Sequence, residues 1–474
     1  MMVDDEIMIV EQCGPRGDVF LYSKNDNNEI IQLKSEGPPP TTISLSLQCL
    51  KNFFCEILLP YGYPESVSED YLEYQLWDTA QAFCSTIVGA FTTRAILKGV
   101  GVGNAQATAL SAAVTWILKD GTGMVGRIIF AWWKGKGLDS DCKKWRLFAD
   151  VLNDLAMTIE LFLPFFSDLS MPVLCVSSTM KSIVGIAGGA TRASIMHHQA
   201  IKDNMAEISA KDGTQETLVN LVASITSIYL FNIFTGPISE MIFVLSLMGL
   251  HLLTNYWAVK SLIFTTFNDQ RLLIVLRSYF NIGAILNPLR ANKREVVILG
   301  IGASVHKFCG FNILMGQPLK NVLCTLSPAD FQQNLSVYKD KNYFLLVDIN
   351  ERNIYITFEK DETTEEVIAA FFHAVCLGIA TCLYNNIPLD NFLKRQLHHP
   401  TPMTRLYTFM NSYEKSSTMR NMPYNNLFDF EEFVKQEYSM FHFALQVNGW
   451  NMNSHSLNIG DWRSDWKICN KKKE

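Results

Sequence analysis

Charged side chains recur at helical spacing inside a largely apolar stretch that runs from Tyr71 to about Phe267, among them Asp78, Arg94, Lys119, Asp120, Arg127, Asp150, Asp154, Lys181 and Arg192. An ionisable group in hydrocarbon costs ~2.5–3.5 kcal/mol on insertion scales, so it faces a bundle interior or a watery cavity. Acids and bases gathered in such a place can recognise a small polar or anionic solute. Asp150 and Asp154 sit one helical turn apart, where they can pair with Lys181 or Arg192 on the next helix. A purely structural role for those pairs stands beside the binding role, because burying a charge already requires a partner.

No catalytic constellation accompanies these charges. No Ser/His/Asp or Cys/His set stands out, so no catalytic residue is assigned. Adjacent residues point about 100° apart on a helix, which argues against His197-His198 or His398-His399 as paired metal ligands. The eleven cysteines are scattered and lack a CxxC pair. That usage points to a reducing compartment, with neither a disulfide framework nor a zinc site. Cys376 and Cys382 share one apolar helix, as buried thiols do. Gly99-Val100-Gly101-Val102-Gly103 follows no strand and is not a dinucleotide fingerprint.

The elements that must position the charges read as helices over 68–98, 104–133, 143–166, 171–207, 214–234 and 237–264. Ser66 and Glu69 have the spacing of a capping box at the first start. Polar residues recur at steps of three and four: Gln75, Asp78, Gln81, Ser85 and Thr92; then Asn104, Thr108, Ser111, Thr115 and Lys119. The third helix gives Asp150, Asn153, Asp154 and Thr158, and the fourth Ser178, Lys181, Ser182, Gly185 and Arg192. Such stripes either face water in a soluble bundle or converge on a polar cavity while the apolar sides face lipid. Small hydroxyl residues, rather than Glu and Lys, favour the cavity. So do two long runs, Leu218–Ile238 without a charge and Met241–Val259 with only His251, each of spanning length. Arg94 fits none of the stripes.

Composition agrees with a membrane-type core attached to soluble parts. Of the 474 residues, 48% are apolar and 18% charged, against roughly 25% charged in ordinary domains. The formal net charge is −6, so no basic field exists to bind nucleic acid, and Lys471-Lys472-Lys473 reads as a solvated tail. The start, MMVDDEIMIVEQ, has neither a signal-peptide nor a transit-peptide pattern. Residues 1–45 read as a β appendage and linker: DVFLYS and EIIQLK flank Lys24–Asn28, ahead of Glu36-Gly37-Pro38-Pro39-Pro40. Arg16-Gly17-Asp18 is a turn. Residues 46–290 form the helical core, the expected membrane domain. Residues 291–474 read as an α+β domain, with a hairpin around Glu351-Arg352, a helix from Thr363 to Tyr384, and helices near 404–418 and 428–448. The expected fold is therefore mainly α: a six-helix membrane-type bundle with a small N-terminal β hairpin and a C-terminal α+β domain. The expected location is a multi-pass place in a membrane, in a compartment the sequence does not specify.

Four ordered strings carry a resemblance: LPYGYPESVSEDYLEYQLWD (59–78), KDGTGMVGRIIFAWW (119–133), GGATRASIMHHQA (188–200) and NMAEISAKDGTQETLVNL (204–221). Over roughly 45–290 they resemble the root UVB sensitive family, whose core is the vitamin B6 photo-protection and homoeostasis domain. The closing NGW…GDWRSDW is similar to the family's ending. The resemblance implies a link to vitamin B6 homeostasis and, from plant members, to ultraviolet-B sensitivity and seedling development. It implies action with a paralogue or by self-association, and, from the animal-type members it is most similar to, a membrane protein. The chain lacks the plastid-type leader of some plant members. No reaction is attached to the family, so it assigns none of these residues a role.

Within the strings, Gly123 and Gly126 permit close helix approach, and Asp120 and Arg127 lie two turns apart on one face. Gly188-Gly189-Ala190-Thr191-Arg192 either packs helices through small residues or brings a backbone and a guanidinium to a phosphate, as of pyridoxal phosphate or a related vitamer. The favoured reading is a non-enzymatic membrane protein that needs no cofactor and binds or moves such a solute, or scaffolds a partner. A soluble or peripheral interaction module acting with a paralogue is the alternative. An enzyme on vitamin B6 forms would need a Schiff-base lysine, for which Lys181 is the least implausible choice.

Overall fold

The computed structural model describes residues 7–13, 18–24, 30–33, 53–100, 109–166, 169–323, 327–389, 400–416 and 418–466. Arg16-Gly17, the turn at 25–28, the 36–40 linker, Gly101, Gly103, Asn104, Thr108, His398-His399 and 471–473 lie outside the described residues, as does the side chain of Ser111. The chain forms two compact units, one running to Leu262 and the other from Ile263, with Asp139–Asp141 grouped in the second.

The first unit opens with β1 (Ile7–Cys13), β2 (Asp18–Lys24) and β3 (Ile30–Leu33), paired antiparallel in that order. The hairpin expected from the sequence is β2–β3, with Leu21 opposite Leu33. Strand β1 is an addition, and a third strand suits a hairpin that alone is marginal in water.

Six long helices follow among the described residues: α1 (Tyr71–Gly99), α2 (Ala109–Lys134), α3 (Cys142–Leu161), α4 (Ser170–Gln199), α5 (Met205–Ile233) and α6 (Pro237–Ser261). Side-chain pairs fix their directions. Gln75 meets Asp212 and Thr86 meets Asn220, so α1 and α5 run parallel. Trp77 packs on Trp257 and Phe91 on Phe243, so α1 and α6 run antiparallel. The helices thus alternate in direction. One end gathers the start of α1 and the close of α6; the opposite end gathers the α3–α4 and α5–α6 connections.

Arg94 acquires its account here. It pairs with Glu240 at 2.6 Å and lies over the rings of Phe91 and Phe231, joining α1, α5 and α6 by one cation. Between α2 and α4 the small residues matter. A methyl at Gly123 would lie 2.7 Å from the hydroxyls of Ser178 and Ser182, and one at Gly126 would lie 2.6 Å from the Thr179 methyl. The hydroxyls of the α4 stripe therefore serve a helix seam.

The third helix ends at Leu161 and the sixth at Ser261, short of the expected 166 and 264, and two further boundaries differ in ways that bear on the site. The first helix starts at Tyr71 behind Asp70, whose carboxylate is held by Ser68 and by His198, so Ser66 and Glu69 form no capping box. The fourth helix ends at Gln199 rather than near 207. Val67 bridges Ala200, the Ser68 amide donates to the Gln199 carbonyl, and Asp203 takes a positive φ of 53°. Residues 205–213, expected as the end of the fourth helix and the connection after it, are the first turns of α5.

The second unit takes in more than the expected 291–474. Helix α7 (Asp269–Ile282) has the same helical period as its predecessors, yet Leu272, Leu273, Val275, Leu276 and Phe280 are buried in this unit's core. Its sheet has the order β4 (Asn312–Met315), β6 (Asn353–Phe358), β5 (Tyr343–Asp348). The β5–β6 hairpin is antiparallel, as expected, with Arg352 at a φ of 52° in the turn. Strand β4 adds parallel to β6. Helix α8 (Thr364–Tyr384) opens with a full capping box, Thr363 and Glu366 exchanging hydrogen bonds, and runs through the centre of the core. The chain then forms α9 (Pro402–Met410) and α10 (Tyr424–Val447). Arg271 and Glu295, both buried, form a two-pronged ion pair at 3.0 and 3.1 Å, and Trp450 stacks on Phe267 at 4.1 Å.

Candidate functional site

The polar faces of α1, α3, α4 and α5 enclose a cavity of about 370 Å³, within the size range of small-molecule sites, roughly 300–1,000 Å³. Asp78, Gln81, Ser85 and Thr86 line it from α1, and Arg146 from α3. Gly188, Gly189 and Arg192 line it from α4, and Glu216 and Asn220 from α5. Nothing lies within 4 Å of where a methyl would stand on Gly188 or Gly189, so bare backbone floors that side of the cavity.

Both arginines already hold carboxylates. Arg146 donates to Asp78 at 2.8 Å, and the Tyr74 hydroxyl reaches the same oxygen at 3.4 Å. Arg192 donates through Nε to Asp212 at 2.7 Å and pairs with Glu216 at 2.7 Å, while Gln75 donates to the other Asp212 oxygen at 3.1 Å. The wall is thus rich in donors and acceptors, with Asp78 and Glu216 facing Arg146 and Arg192 and Asp212 as a third acid on Arg192.

A second polar layer lies behind Gln81. Its amide nitrogen contacts Asp150 at 3.3 Å and His251 Nε2 at 2.9 Å. The other ring nitrogen of His251 meets Asp154 at 2.9 Å, and Asn255 donates to Asp150. His251 is wholly buried, and Asp154 is 5% exposed.

The eight residues expected at a polar cavity therefore divide. Asp78 and Arg192 line it, and Asp150 and Asp154 stand in the layer behind. Neither aspartate pairs with Lys181 or Arg192. Lys181 instead meets the buried Glu160 at 2.5 Å, because α3 and α4 run antiparallel and bring the end of one beside the middle of the other. Lys119, Asp120 and Arg127 are on α2, outside the cavity: Lys119 lies over Trp116, Asp120 is exposed, and the exposed Arg127 lies near Gly185 of α4. Of the adjacent histidines, His198 is the interface residue, at 2.9 Å from Asp70, and His197 is exposed.

Sequence reasoning missed Arg146, Asp212, Glu216 and Asn220. Arg146 was findable: it stands four residues before Asp150 and eight before Asp154, on the same helical row. Asp212 was hidden by the misplaced end of the fourth helix. Among the described residues, no group of three or more His, Cys, Asp or Glu is arranged to hold a metal ion.

Comparison with known proteins covers both units. Residues 46–283 match the model described as vitamin B6 photo-protection and homoeostasis domain, and residues 284–466 match root UVB sensitive protein, C-terminal. The chain is 43% identical over 296 residues to RUS family member 1 of Dictyostelium discoideum, an alignment spanning 59% of this chain and 56% of that protein. It is 34% identical over 381 residues to protein root UVB sensitive 3 of Arabidopsis thaliana, spanning 78% of this chain and 86% of that one. With root UVB sensitive 6 of the same plant it shares 24% identity over 410 residues. No solved structure matches.

Proposed function

The chain belongs to the root UVB sensitive family, and from that premise we propose that α1–α6 form a membrane-embedded bundle that binds, and passes between its ends, a small polar solute. The observation that carries this reading is a polar cavity lined by paired charges among helices whose outer faces, α2 aside, are largely apolar. On α5, Leu221, Val222, Ile225, Ile228, Tyr229 and Ile233 are exposed, and on α6 Ile238, Ile242, Leu245, Leu250 and Leu253. A contiguous apolar patch on a soluble monomer is at most roughly 300–600 Å². Outer rows of apolar side chains over the last three turns of α5 and most of α6 suit lipid better. The hydroxyls of Ser224, Thr226 and Ser246 on those helices donate to carbonyls one turn back, at 2.7–2.8 Å, as a lipid-facing hydroxyl must.

Paired charges narrow the solute. With both arginines already neutralised, the wall favours a neutral or zwitterionic molecule carrying both donors and acceptors over a bare anion. The family's description makes pyridoxine and its relatives the first probes. This reading is of a binding or passage site and assigns no reaction to the residues described. Lys119, Asp120 and Arg127 on the outer side of α2 do not suit bare lipid, so that wall needs water or protein cover.

The test has two parts on the full chain. Alkaline carbonate extraction should leave the protein in the membrane pellet; release to the supernatant sinks the bundle. Mass spectrometry of solutes retained in mild detergent should then find a polar molecule lost in both Asp78→Asn and Arg192→Gln. Retention in both variants rules the cavity out.

A further inference from the structure

The layer behind the cavity contains three titratable groups that the solute site does not use. His251 on α6 lies between Asp154 on α3, at 2.9 Å from Nδ1, and the Gln81 amide of α1, at 2.9 Å from Nε2. The same amide nitrogen reaches Asp150 at 3.3 Å. Asp154 Oδ1 is buried and has no hydrogen-bond partner, as is the side-chain oxygen of Asn255 beside Asp150. The charged groups around the imidazole are few. From α3 it is faced by Asp150 and Asp154, with Arg146 one turn earlier and committed to Asp78. From α1 the facing group is the neutral Gln81, with Asp78 one turn before it.

The donors and acceptors define two states. An amide nitrogen carries two hydrogens, so Gln81 can donate one to Asp150 and one to His251 Nε2. Nε2 must then be the bare nitrogen, and the imidazole proton sits on Nδ1, donated to Asp154. In that state the imidazole is neutral and two carboxylates stand beside it in a buried layer whose one arginine is already paired. A proton arriving on Nε2 relieves the excess of negative charge, but it turns Nε2 into a donor. Gln81 can satisfy it only by rotating its amide to present oxygen, which breaks its bond to Asp150. Gln81 also lines the cavity. Rotation therefore exchanges the hydrogen-bonding character of one patch of the cavity wall.

We propose that His251, Asp154 and Asp150 form a proton-binding site linked by the Gln81 side chain to the solute cavity. The proton site stands on the geometry of this cluster; its link to solute rests on the cavity reading above. By linkage, any solute that prefers one Gln81 orientation changes proton affinity, and the proton changes solute affinity by the same factor.

Infrared difference spectroscopy of the full chain in phosphatidylcholine nanodiscs, titrated from about pH 5 to about pH 8, reads the site with no solute present. The wild type should show an imidazole protonation step that is missing in His251→Asn. In Gln81→Glu, a carboxylate placed against Nε2 should move the midpoint to higher pH by about one pH unit or more. A wild-type spectrum identical to that of His251→Asn overturns the proton site. A step that stays in place in Gln81→Glu overturns the link through Gln81. Should His251→Asn fail to fold, the Gln81→Glu shift decides alone. If the proton step is present while no solute is retained by the cavity, the proposed function fails and this site does not.

Discussion

Among the described residues, four helices are long and apolar enough to cross a membrane, and they end in opposite circumstances. In α4, α5 and α6, the most apolar stretches are only 17%, 11% and 22% buried within the protein. In α8, the most apolar of the four, 89% is buried. Hydropathy alone would have chosen α8 first. What decides is the covering. Helix α8 is packed by the β4–β6–β5 sheet, α7, α9 and α10, which share one core with it. Helices α5 and α6 each pack on α1, α5 also touching α4 and α6 touching α3, and among the described residues their outer faces are uncovered. Charge reports this better than apolarity. Helices α4, α5 and α6 each carry a cation or acid held in an ion pair between helices, Arg192, Asp212 and Glu240, whereas α8 has only its N-terminal Glu365 and Glu366.

Truncating one aromatic in each setting should give the largest contrast. Phe372 of α8 is fully buried and stacks on Phe280 and Phe441 at 5.6 and 4.9 Å. Phe372→Ala should destabilise the second unit by about 3–5 kcal/mol. Ile228 of α5 is 65% exposed, and lipid tails are as apolar as the side chain they replace. Ile228→Ala should therefore cost under about 0.5 kcal/mol. Thermal unfolding of the full chain in nanodiscs measures both. An Ile228 effect equal to that of Phe372 would mean that protein, not lipid, covers α5.

Ion pairs sharpen the same contrast one step lower. Arg271 and Glu295 are 4% and 3% exposed, so Arg271→Ala strands a buried carboxylate and should cost about 3 kcal/mol or more. Arg192 is 35% exposed against Asp212 and Glu216, and solvent screening should reduce Arg192→Ala to about 1 kcal/mol. The loss there should appear in solute retention instead of in unfolding temperature. Equal destabilisation by the two variants would make the Arg192 cluster a structural pair.

How far the sequence revealed these features follows from what each signal measures. Period and charge-free runs located α5, α6 and the β5–β6 hairpin, because each depends on local pattern alone. Asp78 of the cavity, and Asp150 and Asp154 of the layer behind it, were visible as polar positions on helical faces. Their partners were not, since a stripe says which way a residue points and nothing about which helix it meets. Lys181 shows the limit: it shares a stripe with Arg192, yet antiparallel packing delivers it to Glu160. Asp212 was lost for a different reason. The break at 200–204 contains no proline or glycine and is fixed by the Val67–Ala200 bridge and the Ser68–Gln199 hydrogen bond, contacts distant in sequence.

The smallest effect separates the two buried histidines. In the second unit His373 sits in the centre of α8, and burial, aided by the nearby Lys341, holds its imidazole well below the ordinary histidine range. The Tyr343 hydroxyl lies 3.4 Å from Nδ1, and no carboxylate is among the groups that shift it. It is therefore neutral when folded. The unfolded chain begins to bind this proton near pH ~6.5, and the folded protein does not follow. Its contribution is complete above that pH and is lost as pH falls toward the depressed folded value, by at most about 1.4 kcal/mol per pH unit. His251, faced by Asp150 and Asp154, has acceptors ready for a proton and should produce no such penalty. Unfolding of the full chain should therefore lose its acid sensitivity in part in His373→Gln, with a shallower fall between pH ~6.5 and ~5.5. An unchanged slope would mean that His373 gains a proton without unfolding. The contrast between a histidine buried as a hydrophobe and one buried among acids would then collapse.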